Sequence, residues 1–331
     1  MVSLLLLLTV AAHPVSVTRD LHIVLLPRGV EAVRVTHRFG TVAIVGRESD
    51  SLEVEARVKV QGRDRGVVQR FAAGIDVIAE GRAETLVVAT RYPEFSGDDT
   101  TLSYEVDLAV WVPEGFRVSA QNAFGDIRLR DVRADSRLSG RYGNIELERV
   151  GGAAVTGRFG DVSASEVFGS ISIDNGFGNV FLRGVRGEVR VRNSYGNVEA
   201  ERPAGMVNIT NSFGRVACRC GPGRTAIVNR CGEVTAAIDD PMLELLDIMT
   251  RQGLVRLKVA EGLPFQLESR TRGGRVQSGL PLETAERLGT SLAVGRFGEG
   301  GPKVAVQAEM GDIYIGVESL FSRHAPERSQ E

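Results

Sequence analysis

An aromatic residue followed by glycine recurs along the middle of this chain: Phe124-Gly125, Tyr142-Gly143, Phe159-Gly160, Phe177-Gly178, Tyr195-Gly196 and Phe213-Gly214, with Cys231-Gly232 continuing the series. The intervals are 18, 17, 18, 18, 18 and 18 residues. A near-constant interval of this length restricts the fold more than any other feature, because it marks a chain built from small stacked units. After each glycine the apolar positions alternate, as in Ile127 and Leu129, Ile145 and Leu147, Val180 and Leu182, or Val198 and Ala200. A second alternating run follows in each unit, as in Ala153 and Val155, Ile171 and Ile173, Val189 and Val191, or Val207 and Ile209. Period two is the pattern of a strand with one buried face. Each unit therefore reads strand, turn, strand, turn, with Val132, Val150, Val167 and Val185 recurring at the turn between the strands.

A unit this small cannot bury its own apolar face, but stacked copies can. The expected fold is all-β: a single-stranded right-handed β-solenoid, or parallel β-helix, with about 18 residues per coil and irregular capping ends. At a rise of ~4.8 Å per coil the clear units would extend roughly 30 Å. The 39 glycines among 331 residues exceed a usual share of ~7% and fit many tight turns, whereas the 11 prolines indicate neither collagen nor a stiff linker.

In register, Phe124, Tyr142, Phe159, Phe177, Tyr195 and Phe213 form an aromatic stack along one corner. Asn122, Asn175, Asn193, Asn211 and Asn229 form a second ladder, with Gly140 and Gly157 in its slot in two units. Stacked amides satisfy one another and the turn backbone where water is excluded. The expected role of both sets is structural. The alternative is a row of sugar-stacking rings, against which the alternation predicts that several rings point inward. On the outward positions Arg128 and Arg130 would face Glu146 and Glu148, and Arg183, Glu201 and Arg219 would make a file of alternating sign.

The flanks are less regular. Phe39-Gly40-Thr41-Val42 resembles an early copy, strand-like runs continue through residues 52–58, 75–78, 85–88 and 102–112, and Gly253, Gly274 and Gly311 echo the turn downstream. Met242 to Met249 could form one or two helical turns, and no amphipathic helix is expected elsewhere. Residues 20–319 read as one domain, clearest over 122–238, and 320–331 as a polar tail. Open ends would expose strand edges, so the irregular first hundred residues and the stretch from Pro281 to Pro302 are the expected covers. The apolar run Leu4 to Ala12 is far short of the ~20 residues of a spanning helix. Residues 1–12 instead read as a secretory signal with a small-residue cleavage site, which implies export to the periplasm or cell surface. Its n-region lacks Lys and Arg.

Catalytic and metal chemistry find little support. Cys218, Cys220 and Cys231 are odd in number, and His13, His22, His37 and His324 are remote in sequence, so no metal set is expected; after export Cys231 could pair with either of the others. Asp126, Asp161, Asp312 and Glu233 follow the turn glycine, but Asn144, Asn179, Asn197 and Arg215 take the same slot, which suits a turn position better than an acid-base centre. Asp239-Asp240 is an isolated acidic pair before Pro241, and no histidine lies within the units to act as a base. Arg128, Arg130, Arg133, Arg137 and Arg141 gather within one coil, where neighbouring Glu146 and Glu148 suggest a solvated, paired face rather than a site for an anionic glycan or membrane. A formal net charge of −2 gives no bias toward nucleic acid.

The repeated NSFG-x-V and G-x-V-x-V-x-N phrasing, as in Gly187 to Asn193, resembles a bacterial family of unknown function with β-strand repeats, labelled "putative adhesin". So do the entry VSVTRDLHIVLLPRGVEAVRVTHRFGTVAIVGRESDSLEVEARV and the ending GEGGPKVAVQAEMGDIYI. The resemblance covers nearly the whole chain after the leader. It implies a β-solenoid of the cell envelope and no catalytic residues or cofactor. The expectation is a non-catalytic binding surface for an envelope or surface component, glycan or protein. A periplasmic scaffold that self-associates is the alternative, and a polysaccharide-active enzyme is the third reading.

Overall fold

The computed structural model describes residues 14–27, 29–82, 84–94 and 102–317. The leader reading on residues 1–12 and the tail reading on 320–331 lie outside them. The chain is nearly all β, 67% strand and 3% helix, arranged as two long sheets of mostly parallel strands. Among the described residues the first sheet has 14 strands and the second 15. Through the middle of the molecule the chain feeds the two sheets in turn. Arg117–Phe124, Ser136–Tyr142, Ala153–Phe159, Ile171–Phe177, Val189–Tyr195 and Val207–Phe213 are successive neighbours in the second sheet. Ile127–Arg130, Ile145–Val150, Val162–Val167, Val180–Arg183, Val198–Glu201 and Val216–Cys220 are successive neighbours in the first.

The register follows the sequence period, with Ile171 opposite Val189 and Val189 opposite Val207. The alternating apolar residues of both sheets enter one continuous core, in which Val180, Val189, Val198 and Ile209 are at most 1% exposed. The turn glycines stand in a column between the sheets. Gly196 has φ +128°, and a Cβ on it would lie 2.1 Å from the Gly178 carbonyl oxygen. A side chain there meets both a disfavoured backbone conformation and a rigid neighbour, which is why the slot accepts only glycine.

At both ends the order of strands departs from the order of the chain. Ala32–Phe39 and Val42–Arg47 lie directly against Arg117–Phe124 and Ile127–Arg130. The later strands Thr85–Arg91 and Ser103–Pro113 lie outside them. At the other end Lys303–Met310 and Ile313–Val317 insert between Leu243–Gln252 and Val255–Val259 on one side and Phe265–Arg272 and Val276–Ser278 on the other. The glycine column follows this spatial order, since a Cβ on Gly311 would meet the Gly253 carbonyl oxygen at 2.0 Å and one on Gly274 the Gly311 oxygen at 2.1 Å.

Pairing also turns antiparallel at the ends, through Val15–Leu25 with Leu52–Gly62 and through Phe265–Arg272 with Thr290–Phe297. The helix Arg65–Gly74 packs against the strands at the first end, burying Val68, Phe71 and Ala72. Its N-terminus is closed by Asp64, whose side chain accepts from the Val67 amide at 2.8 Å. At its C-terminal end the Arg19 guanidinium donates to the carbonyls of Ala73 and Ile75 at 2.9 and 2.7 Å. At the far end Phe265 and Phe297 stack at 4.6 Å. Residues 281–302 supply the outermost strands of the second sheet, Glu283–Arg287 and Thr290–Phe297.

Two expectations are corrected here. Residues 243–252 form a strand rather than helical turns, because Leu246 and Ile248 continue the buried alternation of the second sheet. The helix over residues 65–74 is the element the sequence reading lacked.

Candidate functional site

Beneath the second sheet, one column of the core is polar. Asn175, Asn193, Asn211 and Asn229 are adjacent in it, each at most 3% exposed. The Asn175 side-chain amide donates to Asn193 Oδ1 at 3.3 Å, Asn193 to Asn211 at 3.2 Å, and Asn211 to Asn229 at 3.3 Å. The same amides reach turn carbonyls, as from Asn229 to Gly214 at 3.1 Å. Gly157 and Gly140 interrupt the column, and the Ile145 side chain fills the space at Gly140. Beyond this gap Asn122 donates to the Gly40 carbonyl at 2.8 Å. His37 takes the next place, opposite Asn122. Its Nε2–H donates to the Phe39 carbonyl at 3.0 Å and its Nδ1 lies 2.9 Å from the Thr90 hydroxyl. Burial lowers the His37 pKa, against backbone hydrogen bonds that raise it.

The aromatic residues come together outside the core. Phe39, Phe124, Tyr142, Phe159, Phe177, Tyr195 and Phe213 stack with centroids 4.7–5.2 Å apart and planes within 2–12° of parallel. Phe124, Tyr142, Phe177, Tyr195 and Phe213 are 39–46% exposed, so the expectation of inward rings is corrected. The alternation breaks at the residue between the buried asparagine and the ring, such as Gly176 or Ser194, where the register skips one position. Within the column each ring lies face to face with the next. At one end Tyr92 and Tyr104 close the stack edge-on, 5.5 and 5.0 Å from Phe39. At the other end Cys231 follows Phe213. Sugars stack on ring faces, and within this column those faces meet other rings.

Several arginines on the outer side of the first sheet are paired with acids, although the expected Arg183–Glu201 contact is not among them. Arg128 meets Asp126 at 2.9 Å and Glu146 at 3.4 Å, and Arg130 meets Glu148 at 3.1 Å. Arg149 forks onto both oxygens of Asp131 at 2.7 and 3.1 Å. Asp239 receives Arg202 and Arg219, each at 2.5 Å; burial works against its charge, yet these two guanidinium bonds prevail and its pKa is lowered. Its neighbour Asp240 accepts from the Met242 amide at 2.9 Å. The residues after the turn glycine serve their neighbours' backbones. The Asn144 amide donates to Asp126 at 2.9 Å, Asp161 to Asn144 at 2.9 Å, Asn179 to Asp161 at 2.7 Å and Asn197 to Asn179 at 3.0 Å. These carboxylates and amides are occupied in holding the turns.

The outer side of the second sheet is built differently. Arg34, Ser119, Arg137, Ala154, Ser172 and Arg190 lie side by side on successive strands, in one row across the sheet. With Arg117, Asp135, Gly152, Ser170 and Glu188 they line an open groove of about 740 Å³. Its floor is low because Ala154, Gly152 and the serines are small, and arginines stand along it. The acids within it are engaged: Asp135 accepts from the Gly152 amide at 3.1 Å, and Glu188 pairs with Arg190 at 3.2 Å. The side chains of Arg34, Arg117 and Arg137 have no ion pair or hydrogen bond among the described residues. The five arginines grouped by sequence thus divide. Arg128 and Arg130 are paired on the first sheet, Arg133 is tied to Glu114 at 2.9 Å, and Arg137 and Arg141 belong to the second sheet. Sequence proximity hid this, because a turn separates residue 130 from residue 137.

Two further clusters complete the surface and interior. His22 Nε2 lies 2.8 Å from Glu53, with Glu55 beside them, but Arg47 also holds Glu53 at 3.2 Å. All three cysteines are free, which corrects the pairing considered for Cys231; Cys218 and Cys220 point into the core, and Cys231 sits at the end of the aromatic column.

No family model matches the chain, and no curated protein sequence matches it. Among solved structures it is similar to a protein described as a putative adhesin from Parabacteroides merdae, at 12% identity and a TM-score of 0.33, over 92% of this chain and 96% of that one. It is also similar to one described as a putative lipid binding protein from Parabacteroides distasonis, at 12% identity and a TM-score of 0.32, over 92% of this chain and 97% of that one. A third, described as a putative adhesin from Bacteroides fragilis, has 11% identity and a TM-score of 0.29, over 91% of this chain and 96% of that one.

Proposed function

We propose that the chain is an exported, non-catalytic β-solenoid that holds an extended component of the cell envelope along its second sheet. The solenoid reading rests on the register, in which each stretch of about 18 residues adds one strand to each sheet. The export reading rests on the apolar run from Leu4 to Ala12. No helix among the described residues is long and apolar enough to cross a membrane.

One observation carries the binding reading: Arg34, Arg117 and Arg137 line the groove on the second sheet with no side-chain ion pair among the described residues, whereas Arg128, Arg130 and Arg149 on the first sheet are each held by a carboxylate. Arginines gathered on one face without acidic partners repel one another, and a partner outside the chain would relieve that repulsion. A binding role without turnover fits the same residues. Hydrolysis of a glycosidic bond canonically uses two convergent carboxyl groups free to act, and Asp135 and Glu188 are engaged by a backbone amide and by Arg190. End-to-end assembly, the rival reading, would use bare parallel edges; here antiparallel strands stand at three of the four sheet ends, and the parallel edge strand Val276–Ser278 is only three residues long.

The test is cosedimentation of the purified protein with insoluble envelope material from the bacterium that makes it, with the supernatant assayed for released sugars. Retention without release is expected. Progressive release would make the protein an enzyme, and no retention would contradict the binding reading.

A further inference from the structure

We infer that the ligand of the second-sheet groove is an acidic polysaccharide, lying across the strands with its acid groups held by Arg34, Arg117 and Arg137. This deepens the binding reading and rests on it.

The direction of the ligand follows from the placement of the charges. Arg34 and Arg137 stand on strands two apart, with Ser119 between them. Two strand spacings separate them by about 10 Å along the sheet. A ligand that meets both must run across the strands, and the groove continues in that direction past Ala154 and Ser172 to Arg190. A small anion would use one guanidinium and leave the others unpaired. A polymer with repeated acid groups satisfies them together.

The kind of polymer follows from what surrounds the charges. The guanidinium fork matches carboxylate and sulfate groups through paired N–H donors. Ser119 lies between Arg34 and Arg137, and Ser170 and Ser172 line the groove beyond them; their hydroxyls can exchange hydrogen bonds with sugar hydroxyls. A membrane surface would be met by protruding apolar side chains as well as basic ones, yet none of the large exposed apolar residues lines this groove. Single-stranded nucleic acid is held by open aromatic faces, and the nearby rings cover one another's faces.

The test measures binding to polygalacturonate and to the same polymer fully methyl-esterified, which keeps the chain and removes the charge. A DNA oligonucleotide and phosphatidylglycerol vesicles serve as the other anionic probes. Each is compared across the wild type, an R34Q/R117Q/R137Q variant, and an R128Q/R130Q control on the opposite sheet, with thermal melting to verify folding. Polygalacturonate should bind in a salt-sensitive manner. The groove variant should lose roughly tenfold or more, since each exposed charge pair contributes a few-fold, while the control keeps its affinity. Equal binding of the ester would overturn the acidic ligand but leave an extended-ligand groove standing. Capture of only DNA or vesicles, equal loss in the control, or no binding of polygalacturonate would each overturn the inference. The envelope cosedimentation tests the broader reading separately.

Discussion

The two outer faces of this molecule rise from one backbone plan and treat charge in opposite ways. On the first sheet an arginine on one strand meets a glutamate on the next, as Arg128 with Glu146 and Arg130 with Glu148. On the second, Arg34 and Arg137 flank Ser119 and meet no acid. Both faces lie over the same core and are registered by the same turns, so the difference is not imposed by the fold. It shows where the sequence serves register and where it serves something outside the chain. Cross-strand pairs contribute ~0.2–1 kcal/mol each, too little to hold the fold but enough to disfavour a slipped strand.

Breaking the frame that both faces share should have the largest effect. Gly196→Ala places a Cβ 2.1 Å from a backbone oxygen at φ +128°, and should cost roughly 3 kcal/mol or more in denaturant unfolding. Gly184→Asn is the matched control. Its φ is +65° and the nearest atom lies 3.6 Å from a built Cβ, so its cost should stay below about 1 kcal/mol. Equal losses would mean that the glycine column is not what fixes the sheets.

The next largest effect lies under the second face alone. Asn193→Asp removes the donor to Asn211 Oδ1 and sets two acceptors against each other in a buried column. A loss of about 2 kcal/mol is expected. A neutral result would show that the amide ladder does not hold the second sheet.

The charge contrast itself is smaller and changes sign. R128Q/R130Q should lower stability by up to ~1 kcal/mol, since partly exposed pairs are screened by solvent. R34Q/R137Q should be neutral or raise stability by a few tenths of a kcal/mol, because it removes like charges that have no partner. If both variants lose stability equally, the arginines of the second face are structural and the comparison collapses.

The last effect is confined to a pH window. His37 occupies the place next to Asn122 in the polar column, and burial lowers its pKa below the usual ~6.5. The unfolded chain therefore takes up a proton before the folded one does. Stability present above that unfolded value is lost as pH falls toward the folded pKa. His37→Asn, which places there the residue found in most of the column, should flatten this decline below about pH 6.5. An unchanged slope would assign the decline to other groups.

The sequence made the all-β class legible because strand alternation and turn glycines are local signals. The residues spaced by one period stand side by side, as Asn175 with Asn193 and Phe177 with Tyr195. What it did not show depends on three dimensions. The sidedness of the rings turns on one skipped register position per unit, which alternation alone conceals. The strand order at the ends depends on long-range pairing: Phe39 lies against Phe124, while Thr85–Arg91 and Ser103–Pro113, between them in sequence, lie farther out. The helix over 65–74 carried a signal in Asp64 and in the spacing of Val67, Val68, Phe71 and Ala72, but it is short and surrounded by strand-like runs. The groove was least legible, because its arginines come from strands more than a hundred residues apart, as Arg34 and Arg137 show.

The most direct measurement is the labelling rate of individual arginines by phenylglyoxal, followed by mass spectrometry with and without polygalacturonate. Arg34, Arg117 and Arg137 should react faster than Arg128, Arg130 and Arg149 in the free protein, and should be selectively protected when the polymer is added. Similar rates on both faces, or protection that falls equally on the first sheet, would contradict the division of the two faces into a paired one and a binding one.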